Sequence, residues 1–180
     1  MMARSHVIVG LATWIAAAPM LHCSPVDPIY LGLAVLGSLA PDMDHPKSWV
    51  GRRSRPVSTA IAATLGHRGI THSAVAVVGL FALLIHAGGR QGAISAFAVG
   101  YLSHLAADML TPRGLRLAWP LRRTWGLKLC RTGSAAETII VVLLVAAIAG
   151  FLLHRAGRLP SLPIHWPAPS TTELRIHPSA

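Results

Sequence analysis

Acidic side chains are almost missing from this chain. Its 180 residues include six Asp and Glu against sixteen Lys and Arg, and charged residues of both signs make up only 12%. A soluble domain ordinarily carries about twice that fraction, so a charge-solvated surface is not the plan of this molecule. Cysteine is scarce as well. Cys23 and Cys130 stand in no metal-ligand or redox spacing, and the topology derived below puts them on opposite sides of a membrane, which argues against a disulfide.

What is present is apolar. Hydrophobic residues make up 53% of the chain, mean hydropathy is +0.54, and the length suits one compact domain. With so few acids, their placement carries information. Asp42 and Asp44 close one apolar run, His104 and Asp108 end another, and Glu137 opens the last, while His6 begins the first. The pattern predicts a polar site assembled at the ends of several membrane helices.

Taken in order, 7–21 is a retained first helix rather than a cleaved signal, although Ala16 to Ala18 resemble a cleavage site. A lipoprotein reading at Cys23 fails because bulky His22 stands where a small residue is needed. The run 29–40 is short for a span of about 20 residues and reads as a buried or half-crossing helix. A basic loop follows, with a weakly amphipathic piece at 57–65. The run 74–87 leads through a glycine-rich turn into 93–110. The basic segment 112–132, with Trp119 and Trp125, is expected on the lipid headgroups. Residues 137–153 form the cleanest span, and the proline-rich tail from 156 is expected to be disordered. The expected fold is therefore an all-α polytopic membrane bundle of about five apolar helices, occupying 1–155, with a tail at 156–180.

The His104–Asp108 spacing of i, i+4 puts an imidazole and a carboxylate on one helix face, an edge for zinc or a similar ion. Taken alone, such a pair is ordinarily solvated; within an apolar run it is functional by default. Asp42 and Asp44 repel each other unless a cation or a donor separates them, the bland alternative being a turn cluster with Asp44 as a cap. His45 is a ligand or a hydrogen-bonded partner of one. His67 and His72 are five apart and cannot both face inward on one helix. A helix starting near Thr71 or His72, capped by Thr71 or Ser73, leaves His67 in the loop. Arg68 could fork onto a phosphate or pair with Asp42 or Asp44. His6 reads equally as polar surface, and Glu137 as a first-turn acid favoured by the helix dipole. His22, His86, His154, His165 and His177 lack acidic neighbours.

The stretches PDMDHPKSWVGRR (41–53), GHRGITHS (66–73) and GYLSHLAADMLTPRG (100–114) resemble the YdjM-like family of bacterial inner-membrane metal-dependent hydrolases. The likeness runs from about residue 3 to residue 145. It implies a membrane-bound hydrolase that uses metal, with Asp42, Asp44, His67, His72, His104 and Asp108 as motif positions and His6 and Glu137 joining them. The order His, Asp, His, His-x-x-x-Asp, Glu is also similar, by analogy, to zinc-dependent phospholipase C and the related single-strand nucleases. Those are all-helical enzymes with a zinc cluster, and this chain lacks their further histidines between Asp108 and Glu137.

These readings combine into an expected enzyme. A divalent ion, zinc first and manganese second, is held by the His and Asp set, with Asp42 or Asp44 bridging metals or taking a proton from water. Arg68 stabilises charge on a phosphoester. Membrane lipid is the expected partner, and a lipid or lipid-linked phosphate the expected substrate. The alternative is a divalent-metal carrier or sensor with no reactive water. Nucleic-acid binding is not expected, because positive-inside loops and anionic lipid already account for the net charge of +10.

Lys and Arg mark the cytoplasmic loops. The loop 42–72 holds five and the loop 111–136 six, against none in 22–28 and Arg90 alone in the next turn; Arg155, Arg158 and Arg175 mildly oppose the assignment. This puts the N-terminus and every candidate ligand on the cytoplasmic side. A reporter fused within 42–72 should therefore read cytoplasmic, and one at 88–91 the opposite compartment. The same compartment for both would contradict the topology.

Overall fold

The computed structural model describes residues 1–45, 48–53, 55–56, 58–59, 71–112, 114–119, 121 and 123–158. Among these the chain is all-α apart from one isolated antiparallel bridge, Leu115 to Trp125. Six helices follow one another: α1 Ala3–Ala17, α2 Pro28–Leu39, α3 Trp49–Arg53, α4 Ala74–His86, α5 Gln91–Met109 and α6 Ala135–Arg155. Two 3-10 turns extend α1 over Ala18–Leu21 and α2 over Ala40–Asp44. Most of the amphipathic piece expected at 57–65, and the tail from 159, lie outside the described residues.

Local sequence explains the boundaries. Asp27 caps α2 by accepting from the Ile29 and Tyr30 amides, with Pro28 at the first helical position, where a missing N–H costs nothing. Ser73 caps α4 and Ser134 caps α6 in the same way. The stretch 1–21 ends on His22 in the left-handed conformation, φ 53°, which turns the chain back toward α2. By length and composition, Ala3–Leu21 and Ala135–Arg155 are sufficient to cross a membrane, and Ala74–His86 is a shorter apolar helix. The twelve residues of α2 reach about 18 Å, consistent with the short run seen in the sequence.

The helices α1, α2 and α5 pack on one another, α6 leans on α1, and α4 leans on α5. What permits the closest of these contacts is the absence of side chains. A Cβ on Gly100 would overlap the Ala34 carbonyl, and one on Gly37 the Phe97 carbonyl. Small residues let backbones meet in this way at membrane helix interfaces. Trp14, Ala18, Ala34 and Ala96 fill one buried cluster, backed by Tyr30 and Leu31; Tyr101, Leu105 and Leu115 fill a second, backed by Phe81 and Phe97.

Burial is inverted relative to a water-soluble protein. Val75, Val78, Leu83 and Ile85 on α4 and Ile139, Val142 and Leu143 on α6 are exposed, whereas His6, His72, His104, Asp44 and Asp108 are buried. Among the described residues of 114–131 there is no helix. They make an irregular strap in which Gly114, at φ +59°, crosses against Gly126. The strap hydrogen-bonds the end of α5 through Leu127 N to Met109 O (2.7 Å) and Cys130 N to Leu110 O (3.0 Å). It also holds the start of α4, where Ala74 N donates to Leu117 O at 2.8 Å. Cys23 and Cys130 are both free thiols.

Replacing Gly100 by Val should force the α2–α5 contact apart and cost about 1–3 kcal/mol. Thermal unfolding in detergent would measure it. Gly32→Ala, where an added Cβ meets nothing within 4 Å, should change stability by less than about 1 kcal/mol.

Candidate metal centre

Because the long helices alternate in direction, the start of α1, the end of α2, the approach to α4 and the end of α5 share one end of the bundle. Each delivers candidate ligands: His6 from α1, Asp42 and Asp44 from the 3-10 turn after α2, His72 from the turn before α4, and His104 and Asp108 from α5. Asp42 is partly accessible; His6, Asp44, His72, His104 and Asp108 are buried.

The protonation of two histidines follows from their neighbours. His104 Nδ1 lies 2.6 Å from the Ser38 carbonyl, which can only accept, so Nδ1 carries a hydrogen and, in the neutral ring, Nε2 keeps its lone pair. Pro41, three positions on, has no N–H to offer that carbonyl in the 3-10 turn. The Thr71 hydroxyl donates its single hydrogen to Asp44 Oδ2, 2.5 Å away. It must then accept from His72 Nδ1 at 2.9 Å, which again leaves Nε2 of the neutral ring with a lone pair. Tyr101 donates to the Thr71 carbonyl and holds this turn on α5.

Both lone pairs face carboxylate oxygens. His72 Nε2 is 3.8 Å and His104 Nε2 is 3.7 Å from Asp108 Oδ2, and His104 Nε2 is 3.9 Å from Asp42 Oδ1. His72 Nε2, His104 Nε2 and Asp44 Oδ1 make no hydrogen bond, nor does either nitrogen of buried His6. Buried polar atoms without partners are rare, and acceptors facing acceptors repel. A cation among them removes both costs. Four atoms around an ion at about 2.1 Å stand about 3.4 Å apart in a tetrahedron, so the observed spacings need to contract by only a few tenths of an ångström. Two groups meet the requirement for holding an ion: His6 with His104 and Asp108, and Asp42 with His72 and His104.

Glu137 lies outside those two groups. Its Oε1 accepts from the Met2 amide at 2.9 Å and its Oε2 from the Gly133 amide at 2.6 Å, so it ties the start of α1 to the start of α6. Beside it is a cavity of about 270 Å³ lined by Arg4, Ser5 and Thr138. The adjoining Met1 amino group reaches Asp108 Oδ1 at 2.9 Å. His45 follows the 3-10 turn, and its carbonyl accepts from the Ser48 amide at 2.9 Å. His67 and Arg68 lie outside the described residues. Of the two caps the sequence offered, Thr71 and Ser73, Ser73 caps α4, which begins at Ala74 rather than at Thr71 or His72. Thr71 instead links Asp44 to His72, and neither that link nor the Ser38 carbonyl was foreseen. Only Pro41, three residues after Ser38, hinted at the open carbonyl.

Fold and site together define a helical protein with two candidate membrane spans and a buried His/Asp cluster able to hold a metal ion. The chain belongs to the YdjM inner membrane protein family, whose sequence model matches residues 1–166. It is 47% identical over 98 residues to the inner membrane protein YdjM of Escherichia coli (strain K12), covering 49% of this chain and 48% of that one. The Shigella flexneri protein of the same name matches to the same extent, so the chain spans about half the length of these two relatives. YvsG of Bacillus subtilis (strain 168) is 28% identical over 162 residues, 88% of this chain and 99% of its own. No solved structure matches.

Thr71→Val keeps the side-chain shape but removes the link between Asp44 and His72. Metal affinity, measured by competition with a chromophoric chelator, should fall about 10–100-fold, with helical content unchanged.

Proposed function

We propose that this protein is a polytopic, membrane-bound, metal-dependent hydrolase acting on a phosphoester of a lipid or lipid-linked substrate. The observation that carries this reading is the convergence of His72 Nε2 and His104 Nε2 on carboxylate oxygens of Asp42 and Asp108 at 3.7–3.9 Å. The donor set is imidazole and carboxylate, which suits zinc first and manganese second. When bound, such an ion supplies Lewis acidity and lowers the pKa of water.

The chain's own residues divide the remaining work. His72, His104, Asp42 and Asp108 hold the ion. Ser38 and Thr71 keep the two imidazoles in the tautomer that points a lone pair inward. Asp44, with Oδ2 occupied by Thr71 and Oδ1 unpartnered, accepts a proton. Asp42, more accessible than the others, faces the substrate's entry. Arg68 neutralises charge on the phosphoester.

A lipid substrate is supported by an apolar groove of about 470 Å³ between α1, α5 and α6, lined by Val9, Val99, Leu102, Ala106 and Leu144. Its lining includes Ala107 and Met1, whose amino group reaches Asp108 Oδ1 at 2.9 Å. The Thr13 and Ser103 hydroxyls in its wall donate to carbonyls of their own helices at 2.7 Å, which leaves the groove suited to an acyl chain. In this reading all five long helices lie in the membrane, and the N-terminus and the cluster are at the cytoplasmic side, where the basic loops fall. The cluster's confinement to one end of the bundle favours an enzyme over a carrier, because a transport path needs polar groups across the full depth. At the far end, the acid Asp27 is spent on capping α2.

Elemental analysis of detergent-purified protein should find at least one equivalent of zinc or manganese, lost in His104→Ala and in Asp108→Ala. Phosphoester lipids should then be hydrolysed by the loaded wild type and not by the variants. An absence of metal after incubation with divalent ions would overturn the reading. Bound metal without hydrolysis of any such lipid would favour the carrier or sensor.

A further inference from the structure

The two ligand groups share His104, yet His104 has one lone pair to give, because Nδ1 is committed to Ser38. It can serve a single ion. Asp108 has no such restriction, since its two oxygens face different partners. Oδ2 faces His72 Nε2 and His104 Nε2 at 3.8 and 3.7 Å, while Oδ1 faces His6 Nε2 at 3.4 Å. The His6 and His104 rings stack with centroids 3.8 Å apart at an interplanar angle of 14°. Two parallel imidazole edges thus address the two oxygens of one carboxylate.

His6 is the residue that a single ion leaves unexplained. It is fully buried, and among the described residues neither ring nitrogen makes a hydrogen bond, Nε2 reaching only the 3.4 Å contact with Asp108 Oδ1. The first ion position, formed by Asp42, His72, His104 and Asp108 Oδ2, does not include it. A cation at Oδ1 would take the place of the Met1 amino group, which lies 2.9 Å from that oxygen.

Resting on the metal-dependent reading above, we propose that the site takes two divalent ions bridged by Asp108, rather than by Asp42 or Asp44. The first ion lies among Asp42, His72, His104 and Asp108 Oδ2. The second lies between His6 and Asp108 Oδ1. The unequal protein ligand sets, four against two, make the first position tight and the second weak and exchangeable. A weak second position with few protein ligands leaves room for substrate oxygens, as two-ion phosphoester sites require.

Equilibrium dialysis of the full-length detergent-purified protein against graded Mn²⁺, with elemental analysis, tests this without an activity assay. The wild type should bind two equivalents in two phases, and its electron paramagnetic resonance spectrum at saturation should show exchange coupling. His6→Ala should retain one equivalent, the tight one, and lose the coupling. His6→Gln serves the same purpose if the smaller side chain disturbs folding. His72→Ala should weaken the tight phase at least tenfold. Saturation of the wild type at one equivalent, unchanged in the His6 variants, would overturn the bridge while leaving a one-metal enzyme intact. Two equivalents with no coupling would also overturn it. No bound ion at all would instead remove the metal-dependent reading beneath it.

Discussion

The molecule is arranged around a set of buried imidazoles and carboxylates that could hold a metal ion. His72 Nε2 and His104 Nε2 lie 3.8 and 3.7 Å from Asp108 Oδ2, and His104 Nε2 lies 3.9 Å from Asp42 Oδ1. The imidazoles cannot rotate out of this state, because their other nitrogens are taken by a carbonyl and a hydroxyl. Repulsion among buried acceptors grows as the local dielectric falls. The helix packing therefore holds the ligands in an arrangement that a cation completes, and the cost of that arrangement is carried by the surrounding contacts.

Those contacts are unusual in kind. Valines and leucines are exposed outside, while His, Asp and Ser are buried inside beside the apolar clusters around Trp14 and Tyr101. Close backbone approach at Gly37 and Gly100 adds dispersion contacts to those clusters. The same approach brings the Ser38 carbonyl to His104, so the packing that stabilises the bundle also sets the tautomer of a ligand. The strap from 114 to 131 ties the end of α5 to the start of α4, and so joins the elements bearing His72 and Asp108.

Much of this was legible in the chain itself. Scarcity made the acids informative: when only six exist, four at the ends of apolar runs point to a site at helix ends. The apolar runs coincide with α1, α2, α4, α5 and α6 because an uninterrupted apolar stretch has few alternatives to a helix in which the backbone satisfies itself. The i, i+4 spacing places His104 and Asp108 together by helix geometry alone. For Glu137 the sequence left the first-turn acid and the ligand equally open, and its amide partners Met2 and Gly133 come from two different segments.

Local pattern thus determined which elements form, where they end and which ionisable groups sit at those ends, because capping, periodicity and apolar run length act within a few residues. Tertiary packing decided the rest. The Thr71 bridge to Asp44 spans 27 positions and the Ser38 contact to His104 spans 66. The two faces of Asp108 acquire meaning only when α1 and the turn before α4 arrive on either side of α5. Hydrogen-bond direction and the stacking of His6 on His104 depend on where three helices cross, and that is fixed by glycine contacts between segments far apart in the chain.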